Sequence, residues 1–191
     1  MIYEADHSHE TFVSLTEWEL RGACNVGRWM YEKSHGDGRS DAHGFADDGA
    51  SGLEQQMLGA IAERVVAKAL GIYWPGAIDQ GAEPDLPHDI EVRLMGRDHY
   101  GLRLRDKDPT GRRYVAVVIE PTTKRGPYRI PGWTPGTIEI DPEWGMAPNG
   151  RPPMIAVPQS ALYPLHELAE IITLERHKAE LAQLEGATHD G

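Results

Sequence analysis

Residues 84–93 read PDLPHDIEVR, and they join a proline-containing turn to an alternating, strand-like run. Proline and aspartate favour a turn in the first half, and the alternation of apolar and charged residues in the second half predicts a β-strand. Because successive side chains of a strand point to opposite faces, Glu91 and Arg93 fall on the same face. The turn presents Asp85 beside them. The segment therefore predicts a sheet edge that carries two carboxylates and one cationic side chain.

The segments on either side of this stretch predict an α+β fold. Apolar residues at helical spacing predict three helices, at residues 14–33, 53–70 and 160–185. Short runs with strand character lie between the second and the third helix, at residues 72–74, 90–94, 101–105, 114–119 and 128–133. This order predicts a mixed or antiparallel central sheet that is flanked by helices.

The connections between these elements lead to three further predictions. The runs at 101–105 and 114–119 are separated by a turn at residues 106–111, so we expect them to form a β-hairpin. Residues 134–158 contain six prolines and are predicted to be mostly irregular. Residues 34–52 have almost no apolar content and are predicted to form a mobile loop, because they cannot offset the entropy of their own ordering.

The chain of 191 residues is predicted to form one core with a helical segment at each end. Residues 1–52 contain the N-terminal helix and the mobile, acidic and glycine-rich loop. Residues 53–160 form the core, and residues 161–191 form a C-terminal helix that packs on it. Leu174 and Leu181 of that last helix offer a contact to a second copy of the chain, although packing against its own core is the default.

Composition narrows the class of protein. Cys24 is the only cysteine, which excludes an internal disulfide and a zinc site built from cysteines. No apolar run approaches the ~20 residues that span a bilayer, and the first residues lack the basic and apolar segments of a signal peptide. We therefore expect a cytoplasmic protein without a membrane partner.

The charge of the chain is unevenly distributed. The formal net charge is −11, which by itself argues against a nucleic-acid partner. Residues 91–130, however, contain ten basic and five acidic side chains, and the rest of the chain carries −16. This segment offers a basic surface to an anionic substrate such as DNA. Alternatively, its cations keep an exposed strand edge soluble.

A third carboxylate belongs to the second predicted helix. Glu63 is the one charge in a helix stripe of small and branched residues, which favours close approach to a sheet, so its side chain is predicted to point inward. A buried carboxylate needs a partner, because burial of an unpaired charge is costly. Together with Asp85 and Glu91 it suits a hard divalent cation, since Mg²⁺ is typically held by one or two carboxylates with water and phosphate.

This arrangement resembles that of the PD-(D/E)XK nuclease superfamily, and in particular its small phage-encoded members, which continue with a basic hairpin. The matching features, in chain order, are Glu63 on a helix, Pro84-Asp85, Glu91-Val92-Arg93, Gly132-Trp133 and Val157-Pro158. The resemblance covers residues 53–162. It implies a restriction-endonuclease-like core and an activity on DNA that requires Mg²⁺ or Mn²⁺.

The resemblance also implies roles for individual residues. Asp85 and Glu91 would be metal ligands, the backbone carbonyl of Val92 would be a third, and Glu63 would be the helix carboxylate that many members carry. The family usually has lysine where this chain has Arg93, and an arginine stays protonated and cannot act as a base. Arg93 can still hold the scissile phosphate. The side chains expected to follow the DNA backbone are Arg103, Arg105, Arg112 and Arg113.

The favoured prediction is a Mg²⁺- or Mn²⁺-dependent deoxyribonuclease in the cytoplasm of a phage-infected bacterial cell, which acts by metal-assisted phosphodiester hydrolysis. One alternative is a catalytically inactive nucleic-acid-binding or phage accessory protein of the same fold, in which Arg93 marks the loss of catalysis. A third interpretation is a structural or assembly protein whose acidic surface binds a basic partner. The charges at residues 84–93 are then ordinary turn and strand-face charges.

Overall fold

The computed structural model describes residues 9–36, 50–77, 83–96, 101–120, 125–139, 141–146 and 154–187. The helices are α1 (Glu17–Gly36), α2 (Ala50–Leu70) and α3 (Leu165–Ala187). The strands are β1 (Thr11–Val13), β2 (Ile90–Met95), β3 (Leu102–Arg105), β4 (Arg113–Val118), β5 (Tyr128–Pro135), β6 (Gly145–Met146) and β7 (Met154–Val157). The fold is α+β, as predicted. Residues 37–49, most of the predicted mobile loop, lie outside the described residues.

The first two helices cross at close range. Thr16 and Glu19 cap α1 reciprocally, because the Glu19 amide donates to Thr16 Oγ1 at 3.3 Å and the Thr16 amide donates to the Glu19 carboxylate at 2.7 Å. Gly27 lies at the crossing point, where a Cβ atom would stand 2.5 Å from the Cα atom of Met57 in α2. The absence of a side chain at position 27 therefore sets the distance between α1 and α2.

The central sheet has four strands in the order β1-β5-β4-β2, so β2 lies at one edge. β2 and β4 run parallel, whereas β4 pairs antiparallel with β5 and β5 with β1, which makes the sheet mixed, as predicted. Ile61 and Val65 of α2 pack on one face of this sheet together with Val115 of β4. The helix that carries Glu63 thus lies against the strand that carries Glu91.

The opposite face of β4 packs on a second, antiparallel sheet with the strand order β3-β7-β6. Tyr114 and Ala116 of β4 share this second core with Leu102 and Leu104 of β3. The predicted hairpin is therefore wrong, because β3 pairs with β7 and β4 pairs with β2. With β2 and β5 on its two edges, β4 has no edge left for β3. The predicted irregular segment likewise contains β7, the central strand of the second sheet.

The Gly132-Trp133 pair connects the central sheet to the start of α3. The Trp133 amide donates to the Tyr163 carbonyl at 2.9 Å, and the Tyr163 amide donates to the Trp133 carbonyl at 2.8 Å. Gly132 has a φ of 153° and lies so close to the Tyr163 carbonyl that a Cβ atom would collide with it. A glycine at this position therefore lets the segment before α3 pair with β5.

Only the first half of α3 belongs to the core. Leu165, Leu168 and Ile172 are buried against the central sheet, whereas Leu174 and Leu181 are each 59% exposed. No helix within the described ranges is both long and apolar enough to cross a membrane. The second half of α3 thus presents leucines to its surroundings.

Candidate functional site

Asp85 lies at the open edge of β2. Its Oδ2 atom accepts a hydrogen bond of 2.8 Å from the backbone amide of Val92, and β4 occupies the other side of the strand. The turn after Asp85 is closed by Leu86 and Ile90, whose amides donate to each other's carbonyls at 3.1 and 3.4 Å. This short reversal brings a carboxylate from the loop alongside the strand that follows it.

The tip of this turn is linked to α3 through Glu175. His88 and Asp89 have positive φ values of 66° and 54°, a region that histidine and aspartate tolerate better than most residues. Nη1 of Arg113 donates to the His88 carbonyl at 3.0 Å and to the Glu175 carboxylate at 3.1 Å. Nδ1 of His88 lies 3.3 Å from the same carboxylate. Glu175 therefore ties α3 to the turn that presents Asp85.

Glu63 approaches the same edge from α2. Its Oε2 atom accepts a hydrogen bond of 3.1 Å from the indole N–H of Trp74. Burial raises the pKa of Glu63 to about 8, and the negative charges of Asp85 and, more weakly, Glu91 act in the same direction against the Trp74 hydrogen bond. Glu63 is therefore a carboxylate that lies among other acids and is partly removed from water.

Asp85 has a raised pKa as well. Burial and, next, the charge of Glu91 raise the pKa of Asp85 to about 6, against the backbone hydrogen bond and two nearby arginines, which lower it. We call Glu63, Asp85 and Glu91 the acid cluster, because the charges of Asp85 and Glu91 both act on Glu63 and the charge of Glu91 acts on Asp85.

Glu91 is the acid that has cationic partners. Arg112 donates from Nη1 to Glu91 Oε2 at 2.8 Å, and Nη1 of Arg93 lies 3.9 Å from Oε1. The guanidinium of Arg93 also lies 2.9 Å from Asp108 and stands over the ring of Tyr114, 5.1 Å from its centroid. These contacts hold Arg93 in one orientation, on the face of β2 that it shares with Glu91.

The four arginines predicted to follow a nucleic-acid backbone lie in different surroundings. Arg112 joins the acid cluster, and Arg113 forms an ion pair with α3. Arg103 and Arg105 lie on β3 in the second sheet, where Arg103 is exposed and Arg105 is partly buried. The structure therefore places Arg112 and Arg113 beside the acids and their turn, and places the other two on the neighbouring sheet.

Two residues of this site were not predicted. Trp74 lies in an irregular segment after α2 that joins neither sheet within the described residues, although its apolar run predicted a strand. Asp108 pairs with Arg93 and also accepts a hydrogen bond of 3.0 Å from the backbone amide of Arg105. Both side chains reach partners more than ten positions away along the chain, so no local pattern signals either contact.

The acid cluster has the chemistry of a site for a hard cation. Glu63 and Asp85 each accept one hydrogen bond from an N–H group and form no ion pair within the described residues. Among those residues, no group of three or more His, Cys, Asp or Glu side chains has the spacing of a metal site. Mg²⁺ does not require such a group, because one or two carboxylates with water and substrate phosphate commonly suffice. The oxygen donors and the unbalanced negative charge fit such an ion.

No protein-family model, curated protein or solved structure matches the chain. The function of the protein must therefore be inferred from the chemistry of the acid cluster. That chemistry combines three carboxylates from a helix, a turn and a strand with two arginines, Arg93 and Arg112, at the edge of a mixed sheet.

Proposed function

We propose that the protein is a Mg²⁺- or Mn²⁺-dependent nuclease that hydrolyses DNA phosphodiester bonds, encoded by a phage and active in the cytoplasm of the infected bacterial cell. The observation that carries the proposal is the pair Glu63 and Asp85, two buried carboxyl groups that have raised pKa values and no ion-pair partner in the described residues. Perturbed acids of this kind cluster at functional sites, where a bound cation compensates them.

The proposal includes membership of the PD-(D/E)XK superfamily and a restriction-endonuclease-like core. Its support is the order of the elements, in which Glu63 on α2 precedes Asp85 on a turn and Glu91 on β2. The packing of α2 against a mixed sheet supports it as well, because it brings Glu63 close enough for the charges of Asp85 and Glu91 to act on it.

In this proposal Asp85 and Glu91 hold the metal ion together with the backbone carbonyl of Val92. The amide of Val92 points to the open edge, where it donates to Asp85, and the N–H and C=O of one strand residue point to the same side. The Val92 carbonyl is thus directed to the side of β2 on which Asp85 lies. A bound Mg²⁺ supplies polarisation of a phosphate oxygen and a lowered pKa of coordinated water. Glu63 completes the surroundings of the ion or orients the attacking water.

Arg93 supplies the positive charge that faces the phosphate. Its guanidinium does not release a proton, so it acts by binding and by stabilising developing negative charge rather than as a base. Asp108 and Tyr114 hold this guanidinium beside Glu91, so its orientation is set before a substrate binds. This pre-organisation favours a phosphate-binding role.

DNA binding is assigned to the basic segment at residues 91–130. The residues proposed to follow the DNA backbone are Arg103, Arg105, Arg112 and Arg113. The charge of −16 on the rest of the chain would repel DNA and confine it to the face formed by this segment. Affinity for DNA should therefore fall steeply with salt, and an affinity that does not change with salt contradicts this assignment.

The proposal extends to self-association through α3. The exposed leucines of this helix are Leu174, Leu181 and Leu184, which are 59%, 59% and 65% exposed. Their spacing of seven and three residues is that of the apolar positions of a coiled coil. Sedimentation of the full chain tests this contact, because Leu181→Glu should shift a dimer to a monomer.

A second candidate function has its own supporting observation. Arg112 and Arg93 already neutralise much of the charge of Glu91, and Arg93 stands where the family usually has lysine. The second candidate is a catalytically inactive nucleic-acid-binding or phage accessory protein, in which arginines take part of the role of the metal. It predicts DNA binding without cleavage.

Digestion of plasmid and linear DNA with Mn²⁺ or Mg²⁺ tests the proposed function. We expect cleavage by the wild-type chain and none by Asp85→Ala or Glu91→Ala. The matched control is Asp106→Ala, which removes an exposed carboxylate from the turn between β3 and β4 and should cleave normally. DNA binding without cleavage in any divalent metal favours the second candidate. The absence of both binding and cleavage contradicts both candidates.

A further inference from the structure

We infer that Trp74 is a positioning residue for the metal site, which it serves by holding Glu63 through a neutral hydrogen bond. The inference rests on the proposed function, since it assigns Trp74 to the same site. Nε1 of Trp74 donates to Oε2 of Glu63 at 3.1 Å, and Oε1 of Glu63 accepts no hydrogen bond from the described residues. One oxygen is thereby fixed and the other stays available to a ligand.

The uncharged donor is the feature that points to a metal rather than to a structural bond. A lysine or arginine in the place of Trp74 would orient Glu63 and cancel its charge at the same time. The indole N–H orients the carboxyl group without placing a positive charge beside it and Asp85. Hydrogen-bond donors that orient the oxygen ligands of a metal in this way tune the affinity of the site for the ion.

The indole ring of Trp74 is also held in place by a contact with Arg64. The guanidinium of Arg64 lies over the indole ring, 5.5 Å from its centroid. Arg64 Nη2 donates to Glu19 Oε1 at 3.3 Å, and Lys68 Nζ donates to Glu19 Oε2 at 2.6 Å. Because Glu19 also caps α1, the chain of contacts runs from the start of α1 through Arg64 and Trp74 to the acid cluster. Trp74 therefore has a defined orientation before a ligand binds.

The test compares two tryptophan substitutions in the full chain. Trp74→Phe keeps an aromatic ring under Arg64 and removes the N–H, whereas Trp18→Phe makes the same chemical change at a residue that is 80% exposed on α1. Mg²⁺ affinity is measured by calorimetry. Tb³⁺ is used as a luminescent probe, because its emission on excitation of tryptophan requires an indole close to the bound ion.

We expect Trp74→Phe to weaken Mg²⁺ binding by about tenfold and to remove most of the sensitised Tb³⁺ emission. Trp18→Phe should change neither quantity. Mg²⁺ binding and Tb³⁺ emission that are the same in Trp74→Phe as in the wild-type chain overturn the inference and leave the proposed function standing. A wild-type chain that binds neither ion overturns both the inference and the proposed function.

A second replacement keeps the inference testable if Trp74→Phe does not fold. Trp74 is replaced by 3-benzothienylalanine, which has the shape of tryptophan and a sulphur atom in place of the N–H. We expect this isostere to melt at the wild-type temperature and to bind Mg²⁺ about tenfold more weakly. An isostere with wild-type Mg²⁺ affinity assigns Trp74 to packing alone and overturns the inference.

Discussion

The carboxylate of Asp85 accepts a hydrogen bond of 2.8 Å from the backbone amide of Val92 at the open edge of β2. Among the described residues this amide faces no neighbouring strand, because β4 lies on the opposite side, so the carboxylate takes the place of a strand carbonyl. The contact gives the amide a hydrogen-bond acceptor and places an acidic side chain at the strand edge. Substitution can separate these two effects.

Asp85→Asn keeps an acceptor for the Val92 amide and removes the charge. In the metal-free protein at pH 8 we expect the free energy of unfolding to rise by roughly 1–2 kcal/mol, because the pKa of Asp85 is raised and its ionised form is disfavoured in the folded state. Asp85→Ala should be less stable than Asp85→Asn, because it leaves the amide without that acceptor. Urea denaturation measures both, and equal stabilities of the two variants contradict this account.

The metal-free protein should become less stable as the pH rises from about 4.5 to about 8. In this window Glu63, whose pKa is raised to about 8 by burial, keeps its proton in the folded state, whereas the unfolded chain has released it. The folded state then binds more protons, so the free energy of unfolding falls with increasing pH. Denaturation in the presence of a chelator measures the slope. Glu63→Gln should flatten it, and an unchanged slope in that variant refutes the assignment to Glu63.

Arg93→Lys should retain DNA cleavage, and Arg93→Met should lose it by about 10²–10³-fold at saturating Mn²⁺. Lysine keeps a positive charge within reach of Asp108 and can orient or deprotonate water, whereas methionine keeps only the length of the side chain. Single-turnover cleavage of a labelled DNA fragment gives the rates. Equal rates for the methionine variant and the wild-type chain would remove Arg93 from the mechanism.

Replacement of Arg103 and replacement of Arg113 should have different effects on DNA binding and on the melting temperature. Arg103 is exposed on β3, so Arg103→Ala is expected to weaken DNA binding and to reduce its salt dependence by about one unit of slope. Arg113 is bound to Glu175 and to the His88 carbonyl, so Arg113→Ala is expected to lower the melting temperature as well. Binding titrations at several salt concentrations and thermal melts separate the two effects. A lowered melting temperature for Arg103→Ala alone is the opposite of this expectation.

Gly27→Ala and Gly22→Ala should have opposite effects on stability. A Cβ atom at Gly27 meets the Met57 backbone at 2.5 Å, so the substitution must move α1 away from α2 and should cost about 1–3 kcal/mol. Gly22 lies on the same helix, and beyond the adjacent backbone of that helix no described atom lies within 4 Å of such a Cβ. Gly22→Ala should therefore stabilise the protein by about 0.5–1 kcal/mol through helix propensity. Thermal unfolding of both variants provides the comparison.

Patterns with a short period determined much of the fold. Helical spacing predicted α1, α2 and α3, and alternation predicted β2 with Glu91 and Arg93 on one face. These features depend on neighbours within a few residues, where hydrogen bonding and side-chain direction follow a fixed geometry. The inward direction of Glu63 was predictable for the same reason, because a single charge interrupts a stripe of small residues.

These patterns could not predict which strands pair with each other. The alternation in β3 predicts a strand but not the strand with which it pairs. Only the packing of the two cores decides that β3 pairs with β7 and that β2 pairs with β4. The Trp74 contact with Glu63 and the Asp108 contact with Arg93 belong to the same class. Each depends on where distant segments come to rest, which no local sequence pattern encodes.

The sequence by itself determined that acids, arginines, helices and strands of these kinds occur in this order. Only the tertiary structure decided that the charges of Asp85 and Glu91 raise the proton affinity of Glu63 and that Arg112 forms an ion pair with Glu91. The physical reason is that a carboxylate's charge state depends on its distance from water and from other charges. Both of these distances are set by packing between segments that are remote along the chain.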